Sequence, residues 1–432
     1  MTGATAGAWD PAAQAARLEL LADGLSFPTS LAFDDAGTLF VAEAGLPFAG
    51  APPGGKVWRL RPDGRRDLVA EQLRPPVNGL AWHAGCLYAS GGDVGYVRRI
   101  QPDGSQTVIL DQLPGPGNYH TNMVAFGPDG KLYFSQGAMT NTGIVGLDAY
   151  ELGWLRRLPH PHDLPGYDIV LTGENVATRN PLAADQAAQA LTGAFSPFGT
   201  PTHPGQRLPA RLPCTAGIMR CDPDGGALEL VAWGLRNAYG LGFLPDGRLL
   251  AVDQGPDDRG SRPIGHAPDL LFEVRHGAWY GWPDFIDGDP VHDPRYRPDR
   301  GPTPRPLLAN HQQLPPPERA LLRFPPHTAA VKFAVAPAAW DPHAGHLFVA
   351  LFGDEQPMTA PAGPRAGRAV ARVDPDRWTL DQAVAGALVR PIDVRFHPAD
   401  AAMHILDFGH FEMTPGGLVA EPNSGKLWRL PR

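Results

Sequence analysis

Cysteine is scarce: Cys86, Cys214 and Cys221 are the only three in 432 residues. None stands in a CxxC pair and the count is odd, which speaks against a disulfide framework. A Cys214–Cys221 bridge is the one close pairing the spacing leaves, and buried free thiols are the plainer reading. No run of eighteen apolar residues occurs, so no segment is expected to span a membrane. The opening residues, MTGATAGAWDPAAQAA, have neither the basic nor the apolar region of a signal peptide, and the compartment stays open. Positive charge is also short, 37 Lys and Arg against 45 Asp and Glu, for a net −8. That balance argues against nucleic acid or an anionic membrane as the partner.

Glycine (51) and proline (49) are plentiful. They recur between short apolar runs instead of pooling, a pattern of many turns and not of disorder. The stretch "FPTSLAFDDAGTLFVAEAG" from Phe27 has counterparts beginning at Pro76, His120, Leu235, Lys332 and Arg390. Each is an apolar run, a turn rich in Asp, Pro, Gly or Ala, and a second apolar run, which is the hairpin signal. Second hairpins follow several copies: "KVWRLRPDGRRDLVAEQL", "YVRRIQPDGSQTVILDQL" and "GIMRCDPDGGALELVAWGL". Two hairpins per repeat make a four-stranded antiparallel blade, and six repeats predict an all-β, six-bladed β-propeller. An elongated all-β array is the other arrangement such a repeat allows.

The last repeat ends at "GKLWRLPR" without an outer strand, while "RLELLADGL" near the N-terminus matches the outer strands of other repeats. The first strand is therefore expected to complete the last blade and remove an open edge. Residues 1–16 read as a tail and 17–432 as a single propeller domain, with long insertions at about 138–215 and 255–324. The insertions carry "NPLAADQAAQALTG", read as a short helix, and the aromatic cluster "HGAWYGWPDF". Loops this long are usually functional or lid-like.

Residues just before each inner strand, and just after the strand that pairs with it, converge on one mouth of the channel. The first set gives Asn78, His120, Asn122, Arg236, Asn237 and Arg390; the second gives Glu43, Asp93, Gln136, Gln254, Asp354 and Asp407. His327 and Thr328 are expected to join this rim. Any one Asp or Asn there can simply cap a strand, because buried polar groups find partners. Together, a histidine, two arginines and several amides favour a polar, anion-accepting pocket.

The runs "HTNMVAFGPDGKLYF", "GLRNAYGLGFLPDGRLLAVDQGPD" and "HGAWYGWPDF" resemble the soluble PQQ-dependent sugar dehydrogenases, in the glucose/sorbosone dehydrogenase branch. The likeness runs from about Gly24 to Leu430. It implies oxidation of an aldose or related sugar by hydride transfer to PQQ, electrons then passing to an external acceptor. No CxxCH haem motif is present to take them within the chain. His120 matches the family's general base, a role an imidazole suits because it titrates near neutrality. Arg236 and Asn237 match cofactor-binding residues, with Arg236 stabilising charge on the reduced quinone. Arg390 matches a partner of a cofactor carboxylate. A calcium ion would be held partly by the carbonyls of Gly255 and Pro256, with Asp257 and Asp258 nearby. The family implies a periplasmic or extracellular location.

Three positions depart from the family. Tyr119 stands where an aspartate precedes the base, Ile392 replaces a second arginine, and "VALFGDEQPMTAP" lacks a lysine expected after the second strand of the fifth blade. Arg259, Arg262, Arg365 and Arg368 are the residues that could compensate. Two other readings stand beside the dehydrogenase. One is a propeller without cofactor that binds a carbohydrate or a protein at the same mouth. The other is a calcium lactonase, whose central ring Glu43, Asn78, Asn122 and Asp407 could partly form.

Overall fold

The Pro-Asp-Gly triplets set the local geometry of the hairpins. At residues 62–64, 102–104, 128–130, 223–225 and 245–247 the glycine adopts a positive φ, between 74° and 93°. Proline presets the turn, and the aspartate carboxylate accepts the amide two residues on, as Asp63 does from Arg65 (3.0 Å) and Asp103 from Ser105 (2.9 Å). Each residue type thus has a separate mechanical reason to be there.

The computed structural model describes residues 9–185, 187–414 and 417–432. Its main sheets are six antiparallel blades in a ring. The first blade runs Pro28–Phe33, Leu39–Glu43, Gly55–Leu60 and Arg66–Leu73, and the second Val77–His83, Cys86–Gly91, Gly95–Ile100 and Gln106–Leu113. The third takes Thr121–Phe126, Leu132–Gln136, Gly217–Cys221 and Glu229–Trp233. The fourth takes Ala238–Phe243, Leu249–Asp253, Leu270–Glu273 and Leu322–Arg323. The fifth takes Ala330–Val335, Leu347–Leu351, Ala369–Asp374 and Thr379–Ala385. The sixth pairs Pro391–Phe396, Met403–Asp407 and Gly425–Leu430 with Glu19–Leu25, which closes the ring in the register Glu19↔Arg429 and Leu25↔Gly425. Closure by the first strand is as the sequence implied.

Burial peaks at the second strand of each blade and is least at the outer edge. The second strands of the first, third, fourth, fifth and sixth blades are buried at every residue, whereas outer strands such as Gln106–Leu113 are largely exposed. Neighbouring inner strands approach closely: a Cβ added to Gly240 would lie 2.3 Å from the Val331 carbonyl oxygen. All three cysteines are free thiols, Cys214 and Cys221 buried.

The insertions differ from expectation in two places. Residues 255–324 are not one loop, because Leu270–Glu273 and Leu322–Arg323 are the outer strands of the fourth blade. The alanine-rich 180–193 stretch holds no helix among its described residues. It contains the second strand of a hairpin, Asn175–Arg179 with Gln189–Gly193, whose pairing overrides helical propensity. The aromatic cluster is core and not lid. Ala278–Trp279 adds in parallel to the third blade's edge at Ala232 and Trp233, and Trp279, Tyr280 and Trp282 are buried. Ahead of the closing strand, helix Pro11–Ala16 is capped by Asp10, and Trp9 donates from Nε1 to the Ala383 carbonyl on the fifth blade (2.8 Å). No helix among the described residues is long and apolar enough to cross a membrane.

Candidate active site

Every inner hairpin carries a register shift at its mouth end: Pro28/Ser30, Val77/Gly79, Thr121/Val124, Ala238/Gly240, Ala330/Phe333 and Pro391/Asp393. A bulge re-aims the side chain of the unpaired residue. One residue from each shift, Thr29, Asn78, Asn122, Tyr239, Val331 and Ile392, lines a common cavity of about 240 Å³. Its floor is therefore divided, with hydroxyl and amides from the first three blades and an aromatic and two aliphatics from the last three. Phe352, Phe408 and Phe411 extend the apolar side. Below it, Lys332 crosses the channel and donates from Nζ to the carbonyls of Thr29 (2.6 Å) and Asn78 (2.5 Å).

His120 lines this cavity beside Tyr119. Its Nδ1 is buried without a hydrogen-bond partner, and burial lowers its pKa to about 4, Asp93 opposing weakly. The ring is therefore neutral at physiological pH. The amides form a chain across three blades: Asn78 Nδ2 donates to Asn122 Oδ1 (3.4 Å), Asn122 to Asn237 (2.8 Å), and Asn237 to Gln254 Oε1 (2.8 Å).

A second cavity of about 230 Å³ shares Asn118, Tyr119, Gln254 and Phe352 with the first. Arg236, Gly255, Pro256, Asp257, Arg259, His327, Asp354 and Glu355 line it. Arg236 is buried, and both its terminal nitrogens are engaged. It donates to the carbonyls of Gln254 (3.0 Å) and Gly255, to Asn141 Oδ1 (3.0 Å) and to Asp257 Oδ2 (2.7 Å), and lies 4.3 Å from the Tyr119 ring centroid. Arg259 reaches Asp257 (3.0 Å), Asp148 (3.2 Å) and the Tyr119 hydroxyl (2.9 Å). Burial opposes ionisation of Asp257, yet Arg236 and Arg259 hold its pKa below the usual carboxylate value. Asn141, Asp148 and Asn118 tie this cluster to the first insertion.

Several sequence-derived rim residues lie outside both cavities. Arg390 is fully buried, donating to Phe411 O (2.6 Å), Asp354 O (3.0 Å) and Glu412 (3.1 Å), with Glu355 at 3.3 Å. Thr328 bonds to Asp269 (3.3 Å) and Pro325 O (2.9 Å). Asp258 accepts the amides of Asp299 (2.7 Å) and Arg300 (3.3 Å). Glu43 and Asp407 are also away from the cavities. Glu43 accepts the Ser26 amide (2.8 Å), and Asp407 accepts those of Val389 (2.8 Å) and Arg390 (2.7 Å). Of the four residues proposed for a lactonase ring, only Asn78 and Asn122 meet in the channel, so no such ring forms.

The donors do not fit calcium. The Gly255 carbonyl and the Asp257 carboxylate are taken by the Arg236 guanidinium, and Asp258 serves a loop. Among the described residues no group of three or more His, Cys, Asp or Glu could hold a metal. PQQ fits no better. Where the resemblance calls for a lysine, Asp354 and Glu355 stand on the wall. Arg365 is paired with Asp354 (2.9 Å), Arg368 with Glu412 (2.6 Å) and Arg262 with Asp284 (2.9 Å). A tri-anion would meet arginines that are already neutralised.

Tyr119, Asn141 and Glu355 are the site residues least visible in the sequence. Tyr119 stood out only as a substitution, Glu355 only as the neighbour of a rim position, and Asn141 gave no signal.

No family model matches the chain, and no curated protein does. Among solved structures it is similar to a Thermus thermophilus oxidoreductase given provisionally as a glucose dehydrogenase. That match has 21% identity, TM-score 0.55, and coverage of 96% of this chain and 99% of the other. It is also similar to the PQQ-bound aldose sugar dehydrogenase of Streptomyces coelicolor, at 16% identity and TM-score 0.54, covering 96% and 97%. The apo aldose sugar dehydrogenase of Escherichia coli matches at 14% and 0.54, covering 96% and 99%. At these identities the likeness is one of fold, the six-bladed propeller that soluble sugar dehydrogenases share.

Proposed function

We propose that the mouth binds an uncharged aldose or related polyol and that His120 accepts the proton of the hydroxyl being oxidised. On this reading the protein is a sugar-active oxidoreductase. One observation carries it: a neutral imidazole with an unpartnered buried nitrogen lines a largely apolar cavity to which Thr29, Asn78 and Asn122 add one hydroxyl and two amides. Such a cavity suits a sugar, which has a hydroxylated edge and a C–H face. Oxidation sends the proton to the imidazole and the hydride to a two-electron acceptor. The charge-balanced mouth favours an acceptor of low charge over resident PQQ, with electrons leaving to an external carrier.

The same charge balance favours a second reading, a propeller that binds carbohydrate and oxidises nothing. One experiment separates them. The purified protein is incubated with an aldose panel, with and without PQQ and calcium, and both calorimetric binding and dye reduction are followed. Aldose-dependent dye reduction supports the oxidoreductase. Binding with no turnover under any acceptor supports the second reading, and no aldose binding at all overturns both.

A further inference from the structure

The two adjoining cavities contain very few polar atoms without partners. Buried polar groups are satisfied as a rule, and each exception needs a reason. Besides His120 Nδ1 and Arg236 Nε, the unpartnered buried side-chain atoms on these walls are the two carboxylate oxygens of Glu355. Arg390 lies 3.3 Å from Oε1 without hydrogen-bond geometry, and the Met413 backbone favours the carboxylate from a position short of a full hydrogen bond. The neighbouring Asp354, in contrast, is saturated by Arg365 (2.9 Å) and the Ala366 amide (3.1 Å).

We infer that Glu355 is a ligand-binding residue: its carboxylate accepts hydrogen bonds from hydroxyls of the polyol whose other end meets His120. The inference rests on the sugar reading above and deepens it. The ligand would span both cavities across their common wall of Asn118, Tyr119, Gln254 and Phe352, with one acceptor group at each end. A polyol is the chemistry that matches, because it brings several O–H donors and no charge, and the arginines nearby already have carboxylates. Burial raises the pKa of Glu355 to about 7, Arg390 opposing. The acceptor is therefore fully charged only above neutrality.

The test uses the full chain, a panel of uncharged aldoses and isothermal titration calorimetry. Glu355→Gln should weaken aldose binding roughly tenfold, the loss expected when a charge-assisted bond becomes a neutral one. Wild-type affinity should rise as pH increases through about 7, and that of Glu355→Gln should stay flat. Because the raised pKa means ionisation costs the folded state stability, the variant should melt at or above wild type, increasingly so from pH 5 to 7. If the variant is instead destabilised, Glu355→Asp decides: it keeps a charge beside Arg390 but withdraws the oxygens. Weakened binding by a stably folded Glu355→Asp supports the ligand role, and unchanged binding overturns it. If Glu355→Gln binds as wild type does while His120→Gln loses binding, Glu355 is not a ligand group and the sugar site stands. If the wild type binds no aldose, the sugar reading fails and this inference fails with it.

Discussion

A carboxylate ends the second strand of several blades, and its task is mechanical. Asp253 accepts the amides of Arg236 (3.2 Å) and Asn237 (2.7 Å), just as Asp407 accepts those of Val389 and Arg390. Asp407→Ala would leave three amides, of Val389, Arg390 and Gly409, without this acceptor, so it should cost about 1–3 kcal/mol; denaturant unfolding would show it. His120 differs because nothing among the described residues satisfies its Nδ1. His120→Gln keeps approximate size but cannot act as a base, so aldose turnover should fall on the order of 10²–10⁴-fold while the melt at pH 7 barely moves. With its pKa lowered to about 4, the acid limb of the activity profile should lie near 4 and not near the ordinary 6.5. The stability sign follows. Between pH 6.5 and 4 the unfolded chain binds this proton first, so wild type should lose stability relative to His120→Gln as pH falls through that window. A fully active, stable variant would remove His120 from the chemistry.

The blade is the element that the sequence shows most plainly, because its turns are written in residues with single mechanical uses. Proline, aspartate and glycine recur at fixed offsets, and the second strands open with continuous apolar runs, Leu-Phe-Val-Ala and Leu-Leu-Ala-Val, because both their faces are buried. The outer strands of the fourth blade were hidden by their brevity and by the long segment between Leu270–Glu273 and Leu322–Arg323. Convergence of Asn78, His120, Asn122, Arg236, Asn237 and Gln254 was legible from the repeat, but the bulges that aim Thr29, Tyr239, Val331 and Ile392 were not. A bulge changes pairing count and leaves no residue-type signature in an apolar strand. The closing strand was legible and is testable. Deleting residues 1–25 strips the sixth blade of Ala22 and Leu25 and bares the Gly425–Leu430 edge. The truncated protein should melt roughly 5–10 °C lower or become insoluble through edge pairing. Scanning calorimetry that finds an unchanged melt would break the ring assignment.

Across the whole molecule the decisive property of the mouth is its balance of charge. A resemblance in sequence matches residue types position by position, but pairing is a property of three dimensions. Arg236 and Arg390 stand where cofactor-binding arginines are implied, and both have internal carboxylates, Asp257 for one and Glu412 for the other. At the 254–257 turn the guanidinium takes the carbonyls of Gln254 and Gly255 and one oxygen of Asp257, hard donors of the kind a calcium ion would need. The wild-type melt should therefore be unmoved by chelator and by millimolar calcium, since a ligand stabilises only a state that binds it. Arg236→Ala should cost about 1–3 kcal/mol, because it removes the donors to Gln254, Gly255 and Asn141 while Asp257 keeps Arg259 (3.0 Å) as its partner. The same change frees the carbonyls of Gln254 and Gly255 together with one side of Asp257, a set of hard oxygen donors. Added calcium should then raise the melting temperature of Arg236→Ala and leave wild type where it was. A wild type that melts higher in calcium, or lower in chelator, would show that the guanidinium yields the turn to a metal and that the charge-balanced picture of the mouth is wrong.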